Sequence, residues 1–255
     1  MSEYILKVYN VTKEFNDIKN PFSLHNISFN ISKGEIVSVI GLNGAGKTTL
    51  MKLLLSLIRP TSGKIVFNNT KYIKIGYLPE NFSLINILMK VSSLIQFIAD
   101  LTEYDQDKKE SNIMEIMELF NLNSIAEKKI NCLSKGTLKR LGIAQSMIGE
   151  PELIILDEPT DGLDPEWRFK VKEILAQKRQ SGTSFLISSH LLFELEQMSD
   201  KILILHNGKQ LYFGKPDFNS ILQYFNDSKL FKLSIKQKQP TLEELFLNII
   251  NKKNI

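Results

Sequence analysis

One stretch restricts the fold of this chain more than any other: Gly41-Leu42-Asn43-Gly44-Ala45-Gly46-Lys47-Thr48-Thr49. It fits Gly-x-x-x-x-Gly-Lys-[Ser/Thr], the phosphate-loop pattern, and its flanks fit as well. Before it, Glu35 to Ile40 alternates little and is β-branched, the mark of a buried strand. After it, Leu50, Leu53, Leu54, Leu57 and Ile58 recur at helical spacing, and the Pro60–Gly63 segment predicts the helix end. A strand, a glycine loop and a helix N-terminus together form an anion site, because N–H groups converge there and the helix dipole favours negative charge. Glycines 41, 44 and 46 are expected to let a phosphate approach the backbone. Lys47 supplies a point charge for the outer phosphates and Thr48 a hydroxyl for Mg²⁺.

The 255 residues suit one large α/β domain or a domain with an inserted lobe, and the 43% hydrophobic content allows a substantial core. A formal charge of +4 suits an anionic ligand or membrane surface without demanding nucleic acid. The single cysteine, Cys132, permits no intrachain disulfide and points to a reducing compartment. No leader is evident. The most apolar stretch, residues 82–101, is interrupted by Asn86, Lys90, Gln96 and Asp100, which excludes a membrane span.

Residues 3–9 and 24–31 alternate as half-buried strands, and further strands are expected at 64–67 and 73–78. From about residue 81 the pattern turns helical, with helices at 84–101 and 111–120 separated by a charged break. The loop Leu133-Ser134-Lys135-Gly136 opens another helix, with Leu138, Leu141, Ala144 and Ile148 inward and Lys139 and Arg140 outward. A helix at 165–179 starts at Pro165, residues 185–187 form a buried strand, and Asn207-Gly208 turns a hairpin between 201–206 and 210–213. Short helices and one strand are expected in the tail.

Leu153 to Leu156 is a continuous apolar run ending in Asp157 and Glu158. In phosphate-loop enzymes a carboxylate at such a strand end holds Mg²⁺, and Glu158 is placed to polarise water for attack on the γ-phosphate. No Asn-Lys-x-Asp guanine motif is present, which favours adenine.

With these motifs in place, nearly the whole chain resembles the nucleotide-binding subunit of an ABC transporter. The distinguishing motif is the signature before the helix at 135, usually Leu-Ser-Gly-Gly-Gln and here Leu133-Ser134-Lys135-Gly136-Thr137. The resemblance implies that this loop contacts, across a dimer, the ATP held by the opposing subunit. Lys135 and Thr137 depart from the pattern. Lys135 is tolerable if its backbone is not left-handed. Residue by residue, the resemblance also implies that Phe15 stacks on adenine and that Glu80 stands where the family often has a Mg²⁺-sensing glutamine. Asp164 matches the loop crossing the dimer interface, and His190 matches the histidine that contacts the γ-phosphate.

The expected fold is therefore α/β: a phosphate-loop core with a mainly parallel sheet, an antiparallel β subdomain and an inserted helical subdomain. Its parts are residues 1–80, 81–150, 151–215 and a C-terminal extension at 216–255. The implied activity is ATP hydrolysis with ATP and Mg²⁺, driving dimer closure with a second copy or a related ATPase subunit. The implied partner is an integral membrane permease, with the chain peripheral on the cytoplasmic face. Phe82, Leu84, Ile85, Leu88 and Leu94 either dock that permease or form the lobe's own core. Leu-Pro-Glu at 78–80 and the Pro240–Leu247 tail resemble exporter subunits. A soluble ATPase switch, or an assembly subunit sharing these motifs, is the alternative.

Overall fold

The computed structural model describes residues 3–15, 23–68, 73–82, 88–102, 106–189, 198–217 and 219–221. It divides into two compact units, residues 1–68 with 187–255, and residues 69–186.

In the first unit, β1 (Tyr4–Glu14) and β2 (Ser23–Ser32) pair antiparallel, and β4 (Ser62–Phe67) joins the other edge of β1 antiparallel. Their inward positions are apolar at alternate residues: Leu6 and Val8 on β1, and Ile27, Phe29 and Ile31 on β2 are all buried. The parallel part is β3 (Ile36–Ile40) beside β8 (Lys201–His206), with Val37 to Ile40 opposite Lys201 to Ile204. β3 is buried throughout, as expected for a strand covered on both faces. Asn207 and Gly208, both at positive φ (46° and 73°), turn the chain into β9 (Lys209–Gly214). This is the hairpin that the Asn-Gly pair predicts. A Cβ at Gly208 would lie 1.7 Å from the Ser23 carbonyl oxygen, so the turn also needs glycine for space.

Helix α1 (Lys47–Leu54) follows the glycine loop and ends sooner than the sequence predicts. Leu55 caps it, Ser56 takes a φ of 56°, and Leu57 is exposed rather than on the helix's apolar face.

In the second unit β5 (Ile75–Leu78) pairs parallel with β6 (Leu153–Asp157), and β7 (Ser184–Ser188) is the next strand beyond β6. The helical lobe holds α2 (Val91–Asp100), α3 (Gln106–Leu119), two single turns of 3₁₀ helix at Asn123–Ile125 and Ile130–Cys132, and α4 (Lys135–Ser146). α2 begins at Val91, not at residue 84, because Lys90 bridges to Lys129 in extended conformation. Val91, Ile95, Ile116, Phe120 and Leu122 close the lobe's core. α5 (Pro165–Gln180) completes the unit. Most of the tail, including Pro240–Leu247, lies outside the described residues, as do Leu84, Ile85 and His190.

Candidate functional site

The phosphate loop leaves β3 at Gly41 and enters α1 at Lys47. Gly46 is the α1 N-cap at a φ of 107°, and Gly44 sits at 80° with open space around it. Both conformations favour glycine. Gly41 has a different reason from the one expected. A Cβ there would lie 2.7 Å from both the Ala45 Cβ and the Leu205 carbonyl oxygen, so its space is taken by the protein itself. The loop is braced by the Ala45 N–H donating to the Leu42 carbonyl (3.0 Å) and the Gly208 N–H donating to the Ala45 carbonyl (3.1 Å). The helical ladder starts with the Leu50 N–H on the Gly46 carbonyl, so the N–H groups of Lys47, Thr48 and Thr49 fall outside it. The buried Lys47 ammonium donates to the Gly41 carbonyl at 2.7 Å, spanning the loop from end to start. Asn43 is exposed. Phe15, just past β1, is 37% exposed, with the Lys13 ammonium 5.3 Å from its ring centre.

The second unit carries the carboxylates. β6 delivers Asp157, 1% exposed, at its C-terminal end. Glu158 follows, also buried, at a φ of 51°. The chain then turns tightly: the Asp161 N–H donates to the Glu158 carbonyl (3.3 Å) and the Leu163 N–H to the Thr160 carbonyl (3.2 Å). Asp164 ends the turn as the α5 N-cap, its Oδ1 accepting from the Trp167 N–H at 2.9 Å, with Pro165 in the first helical position.

The signature loop meets this turn. Ser134 caps α4, its Oγ accepting from the Thr137 N–H (3.2 Å) and sharing a proton with Thr137 Oγ1 (2.8 Å). Thr137, standing where the family has glutamine, thus completes a local hydroxyl pair. Lys135 is the first helical residue and is not at positive φ, so a side chain is accommodated. Its ammonium lies 3.9 Å from Asp161, an exposed pair. A Cβ on Gly136 would come within 3.3 Å of the Gly162 carbonyl oxygen, which shows how closely α4 approaches the turn.

Glu80, exposed, follows β5 and Pro79. Burial raises the Tyr77 pKa, helped by the negative charges of Asp157 and Glu80. One residue was misjudged from sequence. Lys139 does not face solvent: it is 7% exposed, and its ammonium donates to the Glu80 carbonyl at 3.3 Å. Helical periodicity gives a direction but not what lies opposite, and here the Glu80 carbonyl lies opposite. Burial lowers the Lys139 pKa, while Asp161, Glu158, Asp157 and Glu80, in that order, oppose it. Arg140 stays partly exposed and stacks on Trp167.

Among the described residues no group of three His, Cys, Asp or Glu could hold a metal alone. That is compatible with Mg²⁺, which takes one or two carboxylates and completes its shell with phosphate and water. Within the second unit the buried Asp157 carboxylate is a hard oxygen donor of the kind that this ion takes.

The ABC transporter family model matches residues 24–161, more than half the chain. The chain belongs to the ABC transporter family. Among its relatives is the lantibiotic transport ATP-binding protein SrtF of Streptococcus pyogenes, 34% identical over 240 residues, spanning 89% of this chain and 99% of that protein. The bacitracin transport ATP-binding protein BcrA of Enterococcus faecalis is 35% identical, spanning 81% of this chain and 68% of that protein. A solved ATP-binding subunit of an ABC transporter superposes with a TM-score of 0.82 at 25% identity, covering 96% of this chain and 99% of the other. The dimeric cassette MJ0796 superposes at 0.74, also at 25% identity, covering 83% and 99%. The mixed α/β architecture is that of ABC ATPase cassettes, and the chain is an ATP-binding subunit of this family. No described helix is long and apolar enough to cross a membrane.

Proposed function

We propose that this subunit hydrolyses ATP with Mg²⁺ and so powers export through a separate transmembrane permease. The observation that carries the reading is the signature loop, built on α4 with its Ser134 cap intact despite Lys135 and Thr137. A capped helix start is a place where an anion binds well, and in this family that site serves the ATP of the opposing subunit. The dimeric cassette among the structural relatives supports the same arrangement.

In this reading Phe15 stacks on adenine, and Gly41 to Thr49 hold the phosphates through backbone N–H groups and the Lys47 ammonium. Thr48 and Asp157 are the protein donors to Mg²⁺, with Glu80 accepting from a bound water. The ion neutralises charge on the phosphates when bound. Glu158 orients water and takes its proton, and His190 contacts the γ-phosphate. Ser134, Lys135, Gly136 and Thr137 close on the partner copy's nucleotide, and Asp164 lines the interface. ATP shifts the open–closed balance only through its preference for the closed dimer.

The permease contact is assigned to the helical lobe. Leu94 is buried and belongs to the lobe's core, but Leu88 is 68% exposed, and Phe97, Leu101 and Met114 are exposed too. The relatives named for lantibiotic and bacitracin transport support an antimicrobial compound as cargo, handled from the cytoplasmic face of the membrane. The test is co-purification of tagged Glu158→Gln protein from native membranes with ATP and Mg²⁺. A multi-span membrane chain in fixed proportion is the expected result. Recovery of soluble complexes alone would replace the transporter with a soluble ATPase switch.

A further inference from the structure

Ser134, Thr137 and Arg140 follow one another at intervals of three along the start of α4, and a helix sets side chains so spaced on one face. They are hydrogen-bonded there. Arg140 Nη2 donates to Thr137 Oγ1 at 3.3 Å, Thr137 Oγ1 lies 2.8 Å from Ser134 Oγ, and Ser134 Oγ also accepts the Thr137 N–H at 3.2 Å. The guanidinium is held on another side by the Trp167 ring of α5, 4.1 Å from its centre, and the Trp167 N–H is bonded to Asp164. Thr137 and Arg140 are half-buried, whereas Ser134 is exposed.

These bonds have a direction. A guanidinium only donates, so one lone pair of Thr137 Oγ1 is engaged by Arg140. If Ser134 donated to Thr137, Oγ1 would accept from two donors, its own proton would have no acceptor among the described residues, and Ser134 would keep an outward lone pair. If Thr137 donates to Ser134, both Ser134 lone pairs are filled, by the Thr137 N–H and O–H, and the Ser134 proton is left to donate outward. Arg140 selects the second arrangement, because a hydroxyl that accepts from a cation becomes a poorer acceptor and a stronger donor.

We propose that Thr137 and Arg140 are positioning residues that set the polarity of the Ser134 hydroxyl, holding it as a donor to an anion. A phosphate oxygen offers only lone pairs, so a serine presenting its own lone pair would repel it. The inference rests on the dimeric arrangement proposed above, in which that anion is the ATP of the opposing copy. It goes beyond it in giving a task to the threonine at the glutamine position, whose hydroxyl acts on the nucleotide through Ser134, and to Arg140 one turn farther on.

The test takes Glu158→Gln as the parent and reads ATP-driven dimerisation by sedimentation, with ATP affinity measured at protein concentrations too low for dimers. Thr137→Val keeps the shape of the side chain and the N–H that caps onto Ser134, and removes only the hydroxyl. Its dimer should be weaker by about tenfold or more, with monomer ATP affinity unchanged. Thr137→Ser should restore the parent's dimer. Arg140→Met should give a smaller loss that disappears in the Thr137→Val background. The deciding comparison is made in Ser134→Ala, where Thr137→Val should weaken the dimer no further, because the group it orients is gone. An undiminished second loss in Ser134→Ala overturns the proposal. So does a parent-like dimer in folded Thr137→Val, or in Thr137→Ala if Thr137→Val does not fold. Failure of the parent itself to dimerise with ATP would instead remove the dimeric arrangement, and this inference with it.

Discussion

The Arg140 guanidinium lies over the Trp167 ring, 4.1 Å from its centre, and the Lys170 ammonium is 4.7 Å from the same ring. Trp167 is the only tryptophan in the chain and sits in the first turn of α5, beside the Asp164 cap. The signature helix and the start of α5 are thereby joined through one aromatic ring, worth about 0.5–1 kcal/mol at an exposed site. Arg140→Ala should red-shift tryptophan emission and lower the thermal midpoint by about 1–4 °C. An unchanged spectrum would show that the stack does not persist in solution.

The phosphate loop makes a sharper prediction. Lys47→Ala removes the ammonium that bridges to Gly41 and the charge offered to the phosphates. ATP affinity should fall by about two orders of magnitude or more, read by calorimetry, while the fold is retained. Unaltered affinity would end the assignment of this loop as the nucleotide site.

Glu158→Gln keeps the size and burial of the side chain and removes its basicity. Turnover should drop roughly 10²–10⁴-fold with ATP binding intact, and dimers should accumulate in gel filtration with ATP. Near-normal turnover would take Glu158 out of the base role.

Asp164→Ala deletes the acceptor for the Trp167 N–H. Loss of an N-cap costs about 1 kcal/mol, or about 2–4 °C in thermal midpoint for a chain of this size. Asn at the same position should recover most of it, since Asn caps equally well. A deficit that persists in Asp164→Asn would mean that the charge matters more than the cap.

Much of this was legible in the sequence, for physical reasons that differ between elements. The phosphate loop, the Asp157 strand end, the Ser134 cap and the Asn207–Gly208 turn are local: neighbouring residues specify them almost completely. Boundaries that depend on distant partners were not. α1 stops at Leu54 although Leu57 and Ile58 continue its apolar period, and α2 starts at Val91 because Lys90 is held extended against Lys129. Gly41 was read as clearance for a ligand, whereas Leu205, far along the chain, occupies its space. Lys139 shows the same limit most clearly. A lysine on a helix is ordinarily a solvated residue, and only the fold reveals the Glu80 carbonyl that receives its ammonium.

Glu158 occupies a backbone conformation that suits glycine, with a φ of 51°. An L side chain there costs on the order of 1–2 kcal/mol. Backbone conformation and activity therefore pull in opposite directions at one residue. Glu158→Gly relieves that strain but adds entropy to the unfolded chain, so its thermal midpoint should stay within a few degrees of wild type while turnover, on the proposed role, is lost. On the proposed role of Glu158, a catalytic carboxylate stands at a position whose backbone conformation favours glycine.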